Sequence, residues 1–283
     1  MSIQTATTAE LDEAQRIIIA RARYTAEHVA PMLNLVEHFT LGKGEKQLTI
    51  PKVGQMTASD LTDGVDITDS QDIGMTAQQI DCEEVGLKVI ITNKLARQLN
   101  EDVFAMIGRQ VGDAMARKKD KDLLDLLDSL TATNDGTDAL TLAFYAAVAT
   151  ILGAVPAPQP IVAVVHPYQA HPLKTSVAVS GTYPIPDAGL TVDVIKQWHV
   201  GTWAAVPCFE DGNIAVSSSK AKGGMFSKSC LGYLESLADT TDREKDISLR
   251  ATELVIVSDY EAFIIDSNYG REMYYTCSAP AVT

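Results

Sequence analysis

Two histidines, His166 and His171, are the clearest candidates for acid–base or metal chemistry in this sequence, because imidazole titrates near neutral pH and binds metals. Each is followed by a proline, and they are five residues apart, whereas zinc-binding histidines on one helix face are spaced i and i+4. The sequence contains no nucleophile-elbow, zinc-protease or dinucleotide-binding motif. We therefore expect no catalytic residue here, and we expect Pro167 to begin a short helix after a strand. An enzyme that uses one of these histidines with a distant acid is the remote alternative.

A second unusual pattern is a run of aspartates at every third position: Asp60, Asp63, Asp66, Asp69 and Asp72. Carboxylate oxygens are calcium ligands, but this spacing does not match the D-x-D-x-D-G calcium loop. The five aspartates are weak metal candidates at most, and we expect neither a metal nor a cofactor. The main interpretation is a solvated acidic loop that meets basic side chains of a neighbouring subunit.

The composition narrows the classes of function further. The 283 residues carry 23 basic and 37 acidic side chains, a net charge of −14, which argues against non-specific binding to a phosphate backbone. The four cysteines lie far apart and are expected to be reduced thiols. No signal-peptide pattern and no apolar run of about 20 residues is present, so the sequence predicts a soluble protein that is cytoplasmic when made.

One long helix is expected to organise the chain, from Asn100 to Leu130. Apolar side chains recur at helical spacing before and after a charged stretch, at Val103, Ile107, Val111, Met115, Leu123, Leu127 and Leu130. The charged stretch, 117–122, interrupts this stripe near Lys118 and Lys119. Lysine stems can cover apolar surface while the ammonium groups remain solvated, so we expect the helix to continue through it.

Segments with little apolar side-chain content precede the long helix. Residues 46–53 alternate as a half-exposed strand does, and residues 83–91 are predicted to be the returning strand. The connection of nearly thirty residues between them is too long and polar for a compact domain, so we expect an arm that docks on a neighbouring subunit. Residues 1–40 begin with an amphipathic helix near the Thr7/Glu10 capping box, and we expect this second arm also to lie against something else.

The rest of the chain mixes helices and strands. Thr141 is the predicted cap of a helix over 142–152, and residues 161–165 are predicted to be a buried strand. Short strands follow, and a long strand pair over 245–273 is expected to bend or bulge near Thr252 and Glu253. The short strands are predicted at residues 192–195, 204–209, 214–216 and 233–237.

This order of elements resembles the major capsid proteins of tailed bacteriophages, the family with the fold first seen in phage HK97. The resemblance spans nearly the whole chain and depends on order and spacing. Its residues are 48–54 as the rising strand of the extended loop, 85–98 as the return into the helix, 102–130 as the spine helix, 161–167 as a strand of the axial domain and 247–265 as the closing strands.

The resemblance implies an α+β fold with five parts. They are an N-terminal arm (1–40), an extended β-hairpin loop (41–90), a peripheral domain with the spine helix (91–135 and 238–275), an axial domain (136–237) and a C-terminal tail (276–283). It also implies candidates for inter-subunit contacts, namely Leu48, Ile50, Val53, Asp63, Asp66, Asp69, Arg117, Lys118 and Lys119.

The function implied is that of a major capsid protein, whose pentamers and hexamers enclose double-stranded DNA without sequence-specific binding. Only about forty residues precede the loop, so we expect a separate scaffolding protein, and also a portal, as partners, and no membrane. The acidic loop gives no support to covalent cross-linking. The alternative within the same fold is an encapsulin-like shell that encloses enzymes instead of a genome.

Overall fold

A computed structural model describes residues 30–54, 56, 58, 60, 74–94, 101–179 and 199–280. The predicted N-terminal helix, the Asn100 cap, a strand at 192–195 and four of the periodic aspartates (Asp63, Asp66, Asp69 and Asp72) lie outside these residues. The described helices are α1 (Glu101–Asp125), α2 (Leu142–Ala154) and α3 (Pro167–Val179). The described strands are β1 (Glu37–Thr40), β2 (Gln47–Lys52), β3 (Thr76–Asp81), β4 (Glu83–Thr92), β5 (Ile161–Val165), β6 (His199–Trp203), β7 (Val206–Glu210), β8 (Val216–Ser217), β9 (Lys220–Ser227), β10 (Leu231–Asp246), β11 (Ala251–Ile264) and β12 (Gly270–Thr276).

A four-stranded sheet has the order β1-β10-β11-β4, in which β1 is parallel to β10 and the other pairs are antiparallel. Strand β4 pairs with β11 along its whole length. The prediction that residues 83–91 return along the extended loop is therefore wrong. The partner of β2 is β3, and these two strands form a separate two-stranded ribbon.

A six-stranded sheet has the order β12-β9-β5-β7-β6, with β8 added to β9. Strand β5 is buried throughout, as its β-branched sequence predicts. Two helices lie near this sheet. Helix α2 is capped by Thr141, whose hydroxyl accepts a hydrogen bond from the amide of Phe144, and α3 begins at Pro167; both confirm the sequence prediction.

The long strand pair is β10 and β11, joined by a turn at residues 247–250. Its register is regular at Thr252 and Glu253, so the predicted bulge there is wrong; the register shifts lie between Glu235 and Thr240. Strand β10 runs continuously across the expected boundary at 237/238, and β12 pairs with β9 in the six-stranded sheet.

Helix α1 packs against residues of both the four-stranded and the six-stranded sheet. Near its middle, Val111 and Met115 pack against Ile256 of β11. In its second half, Leu123, Leu124 and a 3₁₀ turn at Leu126–Ser129 enter the main core, where Leu127 packs among residues of both larger sheets. Twenty-five residues at about 1.5 Å each give a rod of about 37 Å, which connects the two larger sheets.

Candidate functional site

The C-terminal third of α1 buries two adjacent residues of opposite charge. Lys119 is 5% exposed and Asp120 is fully buried, in the interval between the two apolar halves of the helix. The sequence prediction that the lysine ammonium groups here remain solvated is wrong for Lys119. The buried side of the helix continues through this turn because each charge has polar partners on another element.

Lys119 faces strands β10 and β11. Its ammonium group lies 2.7 Å from Oδ1 of Asp239 and 3.8 Å from Oε1 of Glu235. It also lies 5.4 Å from the ring centroid of Tyr260 and 5.9 Å from that of Tyr233. Burial lowers the pKa of Lys119, but attraction to Asp239 and Tyr233 outweighs this and leaves the pKa raised. Lys119 is therefore a charged contact between the helix and the sheet.

The two tyrosines form the floor of this contact. Their rings stack with centroids 5.5 Å apart. The hydroxyl of Tyr260 donates a hydrogen bond of 2.7 Å to Oδ2 of Asp122, one turn along the same helix. Burial, and then this hydrogen bond to a carboxylate, raise the pKa of Tyr260. Phenol and ammonium groups therefore tie α1 to the four-stranded sheet at two successive positions.

Asp120 faces the N-terminal segment and the six-stranded sheet. Its Oδ1 accepts a hydrogen bond of 3.0 Å from the amide of Met32, and its Oδ2 accepts one of 2.9 Å from the side chain of Asn213. Asn213 also donates its backbone amide, over 2.8 Å, to Oδ1 of Asp211, a second carboxylate that follows β7 and is 1% exposed. Burial raises the pKa of both carboxyl groups, and the proximity of Asp120 adds to the increase for Asp211. We call Asp120, Asp211, Asn213 and the Met32 amide the acid junction.

Strand β2 and the residue that follows it supply three of the contact candidates. Leu48 and Ile50 are half-buried against a cluster of their own chain that contains Ile80, Leu234 and Phe263. Lys52 forms a 2.6 Å ion pair with Asp266. Val53, the next residue, is 54% exposed. The apolar residues of β2 therefore pack on their own subunit, and the exposed apolar side chain is that of Val53, after the strand.

The other contact candidates differ in accessibility. Arg117 and Lys118 are exposed, and Lys118 pairs with Asp122 at a spacing of four residues. Lys119 pairs with acidic side chains of its own chain, and its predicted contact with a neighbouring subunit stays a prediction. An exposed apolar residue that sequence reasoning missed is Ile247, at 84% exposure in the turn between β10 and β11. The alternating apolar residues from Ile247 onward predicted a strand, whereas residues 247–250 form a turn.

The histidine candidates do not come together. His171 is exposed. His166 Nδ1 accepts the amide hydrogen of Tyr168 at 3.1 Å and lies 3.1 Å from Sγ of Cys277. This histidine–cysteine pair is too distant in sequence to be predicted from spacing, but burial raises the pKa of Cys277 to about 11, which opposes formation of a nucleophilic thiolate. His166 therefore accepts a hydrogen bond at the start of helix α3, directly before Pro167.

Metal binding finds little support in the described ranges. Asp60 is exposed, and its four periodic counterparts lie outside the described residues. Within residues 30–54, 74–94, 101–179 and 199–280, no group of three or more histidine, cysteine, aspartate or glutamate side chains is arranged to hold a metal ion. None of the described helices is long and apolar enough to cross a membrane.

The fold matches solved shell proteins over most of its length. A protein of Mycobacterium phage Che8 has 18% sequence identity and a TM-score of 0.66, with 89% of this chain and 92% of that chain covered. The head structure of Helicobacter pylori bacteriophage KHP40 has 10% identity and a TM-score of 0.68, with 90% and 93% covered. The holo-SrpI encapsulin complex of Synechococcus elongatus has 11% identity and a TM-score of 0.63, with 98% and 96% covered. At these identities the likeness defines a fold class, that of capsid-type shell proteins.

The sequence itself defines the family. A family described as "Phage capsid protein" matches residues 64–266, which is more than half of the chain. No curated protein matches the sequence. The chain belongs to the phage capsid protein family. The capsid fold and family expected from the order of elements are confirmed, and the protein is a structural component of a virion shell.

Proposed function

We propose that this chain is the major capsid protein that forms pentamers and hexamers in the shell around a double-stranded DNA genome. The observation that carries the proposal is the family match over residues 64–266, together with a fold likeness that covers about nine-tenths of phage capsid chains. A closed shell repeats one set of contacts many times, so contacts that are weak individually stabilise the whole. The role of this chain is then structural.

Two exposed features fit contacts between subunits. The β2–β3 ribbon is separate from the four-stranded sheet, and Val53, the residue after β2, is exposed. The turn between β10 and β11 exposes Ile247, with charged residues of both signs nearby at Arg243, Glu244 and Arg250. Exposed apolar side chains with polar neighbours are typical of the surfaces that assembly buries.

The division into domains follows the sheets in this proposal. The four-stranded sheet and the first half of α1 form the peripheral unit, and the six-stranded sheet with α2 and α3 forms the axial unit. Because β10 crosses residue 237 and β12 pairs with β9, the expected segment 238–275 is shared between the two units. Separate scaffolding and portal proteins remain expected partners.

The rival within the fold is a shell that encloses proteins. The observation in its favour is the encapsulin likeness, which covers 98% of this chain. The family match favours the phage shell. The two functions differ in their cargo and can be separated by what the particles contain.

The test is purification of particles from cells in which the natural gene cluster is expressed. Electron microscopy shows whether shells with pentamers and hexamers form, and nuclease treatment followed by extraction shows whether protected double-stranded DNA is inside. Filled shells with protected DNA are the expected result. Shells that contain a folded enzyme and no DNA would establish the rival, and a chain that remains monomeric with all partners present would refute both.

A further inference from the structure

We propose that the acid junction is a proton-dependent latch, in which Asp120 and Asp211 share a proton that holds helix α1 to the six-stranded sheet. The inference concerns how one subunit is held together, so it does not depend on what the shell encloses. Its starting point is geometric: two carboxyl groups from different elements are buried, at 0% and 1% exposure, and both accept hydrogen bonds from Asn213.

The hydrogen bonds around the pair leave one place for a proton. Both oxygens of Asp120 accept hydrogen bonds, from Met32 and Asn213. Asp211 Oδ1 accepts a bond of 2.8 Å from the amide of Asn213. Asp211 Oδ2 is buried and has no hydrogen-bond donor among the described groups. An unpartnered buried carboxylate oxygen is costly, whereas a carboxyl proton between the two acids provides the missing hydrogen bond.

No basic side chain of the described part neutralises the pair. The adjacent Lys119 points to Asp239 on β10, and Asp122 is bonded to Tyr260. Glu210, which precedes Asp211, forms its ion pair with Lys174, and Lys121 is exposed. The partners that face the two carboxyl groups are each other, Asn213 and the Met32 amide. Two like charges this close and this buried do not both ionise readily, so a proton is retained.

Loss of the shared proton weakens the acid junction, through which three elements of the subunit are held together. The acid junction joins three elements: α1 through Asp120, the end of β7 through Asp211 and the segment before β1 through Met32. Burial and the neighbouring acid raise the pKa of Asp211 to about 8. Because this pKa lies above the ordinary carboxyl value, the stability that the proton supplies is present at low pH and is lost as the pH rises through about 8. Above that pH, two buried negative charges repel each other across the junction.

The test is hydrogen–deuterium exchange of the full chain from about pH 6 to about pH 9.5, corrected for the intrinsic exchange rate. The amides of Met32 and Asn213 are direct reporters, because they donate to Asp120 and Asp211. We expect their protection to fall at least about tenfold over this range, the equivalent of one pKa unit. In Asp211→Asn, the amide can donate to Asp120 without a titrating proton, and the protection should no longer depend on pH. Glu210→Gln is the matched control, next in sequence but paired with Lys174, and should behave as the wild type.

Constant protection of both reporters in the wild type would overturn the latch, as would an unchanged pH dependence in Asp211→Asn. If Asp211→Asn does not fold, Asp120→Asn removes the other carboxyl group and should give the same loss of pH dependence. Infrared spectra of the wild type with labelled aspartate provide an independent measurement. A protonated aspartic acid band at neutral pH that disappears at alkaline pH is expected, and its absence would refute the shared proton.

Discussion

The ammonium group of Lys119 lies 2.7 Å from a carboxylate oxygen of Asp239, in a helix position that is 5% exposed. Asp239 lies where the register of β10 against β11 shifts, between Leu237 and Thr240. The irregularity in the strand and the buried charge on the helix therefore occur at the same place. The helix and the sheet are held in register by a charged contact between two apolar regions.

Replacing Lys119 by alanine is expected to destabilise the subunit by about 2–3 kcal/mol. The substitution leaves Asp239 without its cation and removes the ammonium group from the rings of Tyr233 and Tyr260. Loss of one partner of a fully buried ion pair costs about 3–5 kcal/mol. The expected cost is smaller here because Asp239 is partly solvated. Denaturant unfolding of disassembled subunits measures the change.

The matched control is Lys118→Ala, one residue earlier. Lys118 is half exposed and forms an i,i+4 pair with Asp122, so its loss should change the free energy of unfolding by no more than about 0.5 kcal/mol. Equal effects of the two substitutions would show that the burial of Lys119 does not matter to stability.

Local patterns predicted the elements that have local causes. The helix α1, the Thr141 cap of α2, the buried strand β5 and the start of α3 at Pro167 follow from spacing, capping and side-chain type. The order of these elements was sufficient to identify the capsid fold. Such features are determined by residues close in sequence, and they survive in any tertiary arrangement.

Other elements depend on partners far away in sequence. Strand β3 has only one buried side chain, Ile80, and the outer half of β10 is exposed on both faces. Their backbones are ordered by pairing with β2 and β11, and neither sequence carries an alternating pattern. Lys119 and Asp120 read as surface charges for the same reason, since their partners lie on β10 and after β7.

Replacing Gly232 by alanine is expected to destabilise the subunit by about 1–3 kcal/mol. A methyl group at this position would lie 2.4 Å from the ring of Phe263, its partner across β10 and β11, and overpacking of this kind forces the ring or the strand to move. Thermal or denaturant unfolding measures the loss.

Gly112→Ala is the control with the opposite sign. A methyl group on this exposed helix position meets nothing within 4 Å, and alanine in a helix is favoured over glycine by about 1 kcal/mol. We therefore expect greater stability for this variant. A gain in stability for Gly232→Ala would contradict the close packing of β10 against Phe263.

The four thiols are expected to resist alkylation at about pH 8 in the folded chain. Cys208 and Cys230 are fully buried, and burial raises the pKa of Cys230 to about 12. Burial and the nearby Asp259 raise the pKa of Cys82 to about 11, so about one thiol in a thousand is ionised at that pH. Mass spectrometry after iodoacetamide treatment should find slow labelling at Cys82, the half-buried thiol, and complete labelling only in denaturant. Fast modification of Cys208 or Cys230 in the native chain would mean that the core opens.

Replacing Ile247 by aspartate is expected to prevent or weaken assembly and leave the subunit fold intact. The side chain is 84% exposed in the subunit, so the free energy of unfolding should change by no more than about 0.5 kcal/mol. If the turn between β10 and β11 meets a neighbouring subunit, each contact loses the burial of one isoleucine, about 1.5–3 kcal/mol, and gains a buried charge. Ile247→Leu keeps the apolar contact and should assemble normally. Sedimentation and electron microscopy compare the three proteins, and wild-type yields of shells from Ile247→Asp would show that this turn lies outside the contacts.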